Sequence, residues 1–277
     1  MACALLVMRY RLHIETIISG ERAMATHLRP NIECSDAEWH ARQELAACYR
    51  IYDHLGWSES IYNHISLKVP DEEGAFLINP FGLLYSEVTA SNLVKIDIDG
   101  NKLDSSPYPV NQAGFTQHAY FHRHLPWAHA IAHVHTTETM AVCSLEEGLM
   151  PINFYACNFA NQLAYHEFEG VTVRAEEGER LLKNLGDKRI LMLRNHGPVV
   201  LAPTLQQMFI MQWSLQRACE IQLATLSMGR PAIRVPDDVI AVHQRDLGQV
   251  NAGGKAGEAD FAAWTRRIDR IDRSWRD

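Results

Sequence analysis

The chain has 277 residues, of which 47% are hydrophobic and 21% charged, and a formal net charge of −7 at pH 7. That balance belongs to a globular chain with a sizeable core, and the acidic excess leaves no electrostatic footprint for a nucleic-acid partner or an anionic membrane surface. Six scattered cysteines without a Cys-x-x-Cys pair read as reduced thiols in a cytoplasmic protein, and the apolar start, Ala2 to Met8, is too short to span a bilayer and lacks the leading basic residue of a secretory signal.

Residues 1–33 show no sustained period and are expected to form a flexible N-terminal leader. Ser35-Asp36-Ala37-Glu38 is a capping box, and Ala41, Leu45, Cys48, Tyr49, Tyr52 and Leu55 follow at helical spacing. A helix is therefore predicted over 36–55, stopped by Gly56. From Ile61 to Lys68 the side chains alternate, with Ile61, Asn63, Ile65 and Leu67 on one side and Tyr62, His64, Ser66 and Lys68 on the other. The Pro70–Gly74 turn and a strand from Ala75 to Asn79 complete a hairpin, after which Pro80-Phe81-Gly82 turns the chain. Thr89 to Asp97 reads as a short helical piece and then a strand, closed by Asp99-Gly100-Asn101.

Ala113 to Arg123 has helical periodicity and Pro126 ends it; Ala130 to His135 then alternates as a strand, and Thr136 to Leu145 reads as a helix leaving it. Thr172 and Val173 suggest a strand edge, Ala175 to Leu185 a helix, and Arg189 to Arg194 a buried strand halted by Gly197-Pro198. A second capping box, Thr204-Leu205-Gln206-Gln207, opens a helix through Ser227. Strands interleaved with helices predict an α/β chain whose mixed sheet is covered by helices. Beyond a glycine-rich linker at 251–257, Trp264, Ile268, Ile271 and Trp275 recur at heptad-like spacing in a helix too narrowly apolar to stand alone, so it is expected to dock on its own subunit or a neighbour.

Histidine is concentrated in one stretch: six of the fourteen lie between His118 and His135. On a strand, His133 and His135 leave the same face about 7 Å apart, a suitable pair for one metal ion. His196, at the end of the buried strand, is placed to close on the same ion. His118 and His122, four apart on a helix, share a face; that is also metal-pair spacing, but with one ion accounted for they are read as polar packing.

Taken in order, Asn63-His64-Ile65-Ser66, Ile78-Asn79-Pro80-Phe81-Gly82, the Leu93 to Asp99 strand with its Asp-Gly turn, the histidine-rich helix, His133-Val134-His135 and Asn195-His196-Gly197 resemble the class II aldolase and adducin-head family. The resemblance covers about residues 36–230. It implies a three-layer α/β/α fold around a mainly antiparallel mixed sheet in a domain over 34–230, leaving a C-terminal linker and amphipathic helix at 231–277. It further implies a homotetramer, a small-molecule substrate, and one divalent ion per subunit (zinc, manganese or iron(II)) at His133, His135 and His196. The chain departs from the pattern where the sugar-phosphate aldolases carry a Ser-Ser-Glu segment, having Gln112-Ala113-Gly114 instead. Phe81-Gly82 stands in place of Thr/Ser-Gly, and His64 in place of the asparagine of Gly-Asn-x-Ser. Asn63, His64, Phe81, Gly82, Gln112 and Ala113 are the expected substrate-binding positions, and the lost hydroxyls and amide predict a substrate without phosphate.

Three neutral imidazoles leave a divalent ion its full charge and open positions for a carbonyl or a 2-hydroxy or 2-oxo acid, which suits a lyase of the aldolase or decarboxylase type. With the family glutamate missing, His118, Glu138, Tyr165 and His166 are the candidate proton carriers. Two alternatives stay open. One is an iron(II) oxygenase that oxidatively shortens an aryl-pyruvate-type acid, similar to the prenylated hydroxybenzoate synthases of the aminocoumarin antibiotics, which Phe81 and Ala113 favour. The other is a non-catalytic assembly module like the adducin head.

Overall fold

The computed structural model describes residues 32–171, 174–251 and 253–277, without the side chains of Ala113 and Ala175. Most of the expected leader, and the strand edge expected at Thr172 and Val173, lie outside these residues.

The first described helix, α1 (Asp36–His54), starts where its cap dictates, with Ser35 Oγ accepting the Glu38 N–H at 3.0 Å. The Glu38 carboxylate turns inward to Arg42 Nε at 2.8 Å, and the same buried guanidinium donates to Asp104 and to the Leu93 carbonyl, so the charge is paired and fully hydrogen-bonded. One turn on, the Tyr49 hydroxyl accepts the backbone N–H groups of Ile65 (2.8 Å) and Asn79 (3.2 Å). Tyr49→Phe strips a partner from two buried donors while keeping the ring, so it is expected to cost about 1–3 kcal/mol in urea unfolding; an unchanged midpoint would show that the helix seats without that hydroxyl.

Seven strands follow: β1 (His64–Lys68), β2 (Ala75–Ile78), β3 (Val94–Asp97), β4 (Ala130–His133), β5 (Leu163–His166), β6 (Ile190–Leu193) and β7 (Pro198–Ala202). They form one sheet in the order β3-β2-β1-β4-β7-β6-β5, with every neighbouring pair antiparallel except β5 and β6. Helices α2 (Gln112–His124) and α5 (Ala175–Leu185) cover one face, where Phe121, Leu181 and Leu185 pack on Ile131, Leu191, Leu193, Val199 and Leu201. Helix α1 and the long α6 (Leu205–Ser227) lie on the other, against β1, β4 and β7. Short helices α3 (Thr137–Cys143) and α4 (Phe154–Cys157) pack on α6, α7 (Asp237–Val250) touches α4, and α8 (Glu258–Asp269) lies against α1 and α6. This is the helix-flanked mixed sheet that alternation and capping predicted.

The differences are local and each has a cause. The alternation expected from Ile61 is broken before His64, because Ser60 and Asn63 take left-handed φ values of 50° and 66°. Strand β4 ends at His133, so His135 lies in an extended link to α3. The helical piece expected from Thr89 is displaced to a 3₁₀ turn at Tyr85–Glu87. Gly197-Pro198, read as a stop, is a tight turn that sends the apolar run Val199 to Ala202 back as β7. The heptad reading of the tail fails beyond Asp269: Phe261 and Ile268 are buried on α8, whereas Ile271 is 58% exposed and Trp275 is buried in a separate 3₁₀ turn. No described helix is long and apolar enough to cross a membrane.

Candidate metal centre

Three elements deliver three imidazoles to one end of the sheet. His133 closes β4; His135 follows in the link to α3, side chain on the same side; His196 sits in the β6–β7 turn, and β7 pairs directly with β4, placing Val199 opposite His133. That turn depends on close backbone approach. Asn195 takes a left-handed φ of 55°, and a Cβ on Gly197 would come within 2.7 Å of the Val134 carbonyl.

The ring nitrogens converge. His133 Nε2 lies 2.9 Å from His135 Nε2 and 3.3 Å from His196 Nε2, and the potential ligand atoms of the three residues all lie within 4.8 Å of one another. His133 Nδ1 donates to the Pro198 carbonyl at 2.9 Å, which leaves its Nε2 as a bare lone pair pointed at the other two rings. Burial, and then the neighbouring rings of His135, His196 and His64, hold the His133 pKa well below the usual histidine range. Burial, and then His135, brings His196 down to about 4. Neutral rings crowding their lone pairs together repel one another unless a cation sits among them. Tetrahedral zinc with bonds of about 2.05 Å separates its nitrogen ligands by about 3.3 Å, close to the spacings here. The donor set fits a divalent ion.

The other expected site residues are distributed unevenly. His64 pairs in register with His133, and its ring centroid is 5.3 Å from that of His133. Asn63, next to it, is buried with neither side-chain polar atom hydrogen-bonded to protein. Phe81 and Gly82 follow β2 at the same end of the sheet as His64; Phe81 is half-buried and Gly82 is exposed with a φ of 101°. Gln112 and Ala113 begin α2, whose Gly114 is pressed against the His64 ring.

The expected proton carriers are each engaged by other groups. His118 is wholly buried, bonded to His64 Nδ1 through its Nε2 (3.0 Å) and to Ser66 Oγ through its Nδ1 (2.7 Å). The Tyr165 hydroxyl accepts the Leu149 N–H, its ring lies under the Arg194 guanidinium, and its strand, β5, is three places from β4 in the sheet. Glu138 accepts from the Gln216 amide at 2.9 Å. His166 is held by Asn184 at 2.8 Å on β5. Ser66 and Gly114 were not among the expected site residues, and His122 was read only as polar packing beside His118; the alternation that put His64 and Ser66 on one face, joined to the i, i+4 pair His118 and His122, was the signal that links Ser66 to that pair.

One consequence concerns acid. Burial pushes the His122 pKa down to about 3, against about 6.5 for an unfolded histidine. Below pH 6.5 the unfolded chain takes a proton that the native ring refuses, so this group's stabilising share is present above that pH and is lost as pH falls toward 3. The slope is about 1.4 kcal/mol per pH unit. His122→Gln should flatten the fall in urea-unfolding free energy between pH 6 and pH 4 by about that amount; an unaltered slope would show that this ring does not drive it.

The sequence profile described as "Class II Aldolase and Adducin N-terminal domain" matches residues 43–223. The chain belongs to the class II aldolase and adducin family. A Caulobacter vibrioides member bearing a provisional aldolase class 2 name is 40% identical over 237 residues, covering 85% of this chain and 91% of its own. Rat alpha-adducin is 41% identical over 243 residues, 83% of this chain but 33% of the adducin, so the chain spans about a third of that relative. Among solved structures, an aldolase II superfamily protein from Pseudomonas syringae superposes with a TM-score of 0.84 at 36% identity, covering 88% of this chain and 98% of that one. L-fuculose 1-phosphate aldolase from Glaciozyma antarctica superposes at 0.75 with 23% identity, covering 88% and 94% respectively, a likeness of fold.

Proposed function

We propose that the chain is a metal-dependent lyase that forms or breaks a carbon–carbon bond next to the carbonyl of a small, non-phosphorylated oxo- or hydroxy-acid. The observation that carries this reading is the convergence of three neutral Nε2 atoms from His133, His135 and His196. A divalent ion held there supplies a Lewis acid with coordination positions left for substrate oxygens. Around it, the Pro198 carbonyl orients His133, and the Asn63 amide offers one donor group and one acceptor that no protein group uses. Phe81, half-buried just after β2, is read as an apolar contact in place of phosphate-binding donors. Gln112 and Ala113, the first residues of α2, are read as further substrate-binding positions. By its family, the protein is further read as a cytoplasmic homotetramer, which light scattering of the purified protein checks.

The test is a cleavage assay on short hydroxy- and oxo-acids, run on protein stripped by a chelator and then reloaded with zinc, manganese or iron(II). Product released only after reloading supports the lyase. Absence of product from every acid overturns it, and oxygen consumption by iron(II)-loaded protein with an aryl-pyruvate would assign the oxidative route in its place. The 41% identity to alpha-adducin favours one other reading, a non-catalytic assembly module; any turnover that disappears in His135→Ala eliminates it.

A further inference from the structure

Behind His133, β1 and α2 enclose a line of polar side chains whose direction is fixed at its far end. The Ala128 carbonyl can only accept, so His122 donates to it from Nδ1 at 3.0 Å, and the neutral ring keeps a lone pair at Nε2. The Ser66 hydroxyl, 2.7 Å from that nitrogen, therefore donates to His122, and its oxygen accepts from His118 Nδ1, also at 2.7 Å. His118 is left with its lone pair at Nε2, and His64 Nδ1, 3.0 Å away, donates to it. Every link takes its sense from the one before. Reversing the line would turn a His122 lone pair against the carbonyl oxygen. A second proton on His118 would bury a cation completely, among rings and a hydroxyl with no carboxylate bonded to it, and Lys68 lies close enough to His122 to oppose charge there too.

We propose that this line, from the Ala128 carbonyl through His122, Ser66 and His118, locks His64 as its Nδ1–H tautomer, so that an unprotonated Nε2 stands beside the metal trio and selects a ligand that brings a hydroxyl to it. A hydroxy-acid carries such a donor; a dianionic phosphate group, or the carbonyl and carboxylate of a 2-oxo acid, bring only acceptors. The His64 ring is 5% exposed, and Gly114 packs over its Cδ2 carbon. With glycine at 114, the His64 imidazole from β1 occupies the space that a side chain from α2 would take. His118 becomes a positioning residue that acts through His64. The hydroxyl preference rests on the metal-dependent reading above, whereas the tautomer lock does not.

The test is two-bond proton–nitrogen correlation spectroscopy of the full chain labelled with ¹⁵N-histidine, first without added metal. His64, His118 and His122 should all show the Nδ1–H pattern, the opposite of free histidine's preference. Ser66→Ala should release His64 into a mixture containing the Nε2–H form, while Ser66→Thr, which keeps the hydroxyl, should retain the wild-type pattern. An Nε2–H pattern for His64 in the wild type, or an unchanged His64 in Ser66→Ala, overturns the lock. In zinc-loaded protein, lactate should shift the His64 Nε2 resonance, and pyruvate, of the same carbon skeleton without the hydroxyl, should leave it in place. Equal responses, or none to lactate, overturn the selection. A protein that shows the Nδ1–H pattern yet takes up none of zinc, manganese and iron(II) sinks the lyase reading and the hydroxyl selection with it, and leaves the lock standing.

Discussion

His133→Ala and His196→Ala should each bind a divalent ion roughly 100- to 700-fold more weakly than the unaltered chain. A four-ligand structural zinc site is worth about 10–16 kcal/mol in binding, so one imidazole accounts for about 3–4 kcal/mol, and each 1.4 kcal/mol is tenfold. The two variants should differ in stability although they agree in metal loss. His133 is buried and donates to the Pro198 carbonyl, so its removal opens a cavity and strands an acceptor, at about 1–3 kcal/mol. His196 lies half-buried in a turn and its side chain should be cheaper to lose. Competition against a chromophoric chelator measures the affinity, and urea unfolding of the stripped proteins measures the stability. His118→Ala is the control, because that ring is separated from the trio by His64 and should leave zinc affinity within tenfold. Undiminished metal in both ligand variants would remove the basis of the proposed chemistry.

The second large effect is one whose sign local propensity gets wrong. Gly114 lies inside α2, where glycine-to-alanine exchange ordinarily gains about 1 kcal/mol. Here the added Cβ would come 2.1 Å from His64 Cδ2 and 2.7 Å from both Cγ and Nε2. The His64 ring cannot simply swing aside, because its Nδ1 is tied to His118 at 3.0 Å on one side and its strand is paired with β4 on the other. Gly114→Ala should therefore destabilise by about 2–3 kcal/mol through overpacking. In a His64→Ala background the obstacle is gone, and the same exchange should become neutral or stabilising. The predicted coupling, about 3 kcal/mol in a double-mutant cycle of urea midpoints, far exceeds that of independent sites. Additive effects would mean that α2 can shift away from the ring without cost.

Much of the fold was legible because its signals are local. The Ser35 and Thr204 caps marked the starts of α1 and α6, and each side-chain oxygen accepts the N–H three residues on, as the sequence suggested. Two-residue alternation put His133 with His135 on one face of their segment and His64 with Ser66 on one face of theirs, and in the sheet His64 stands directly opposite His133. What escaped was non-local. Strand β7 was hidden because Gly197-Pro198 reads as a stop unless an antiparallel partner is waiting, and β5 because it is a four-residue strand whose parallel partner β6 follows only after α5. The left-handed Asn63 interrupts an otherwise regular pattern, and a side chain alone does not announce that φ.

By itself, then, the order of residues determined the class of fold, the extents of α1, α2, α5 and α6 and the three histidines able to share an ion, since caps, periodicity and strand alternation act within a few residues. Only the tertiary structure decided that those nitrogens meet within 3.3 Å of His133 Nε2, that Tyr165 and Glu138 are engaged elsewhere, and that His64 occupies the room left by Gly114. The reason is that strand order, ring tautomers and the fit of a side chain into a glycine's space depend on packing between segments as far apart in the chain as Ala130 and Ala202, and no local pattern encodes which of them come together.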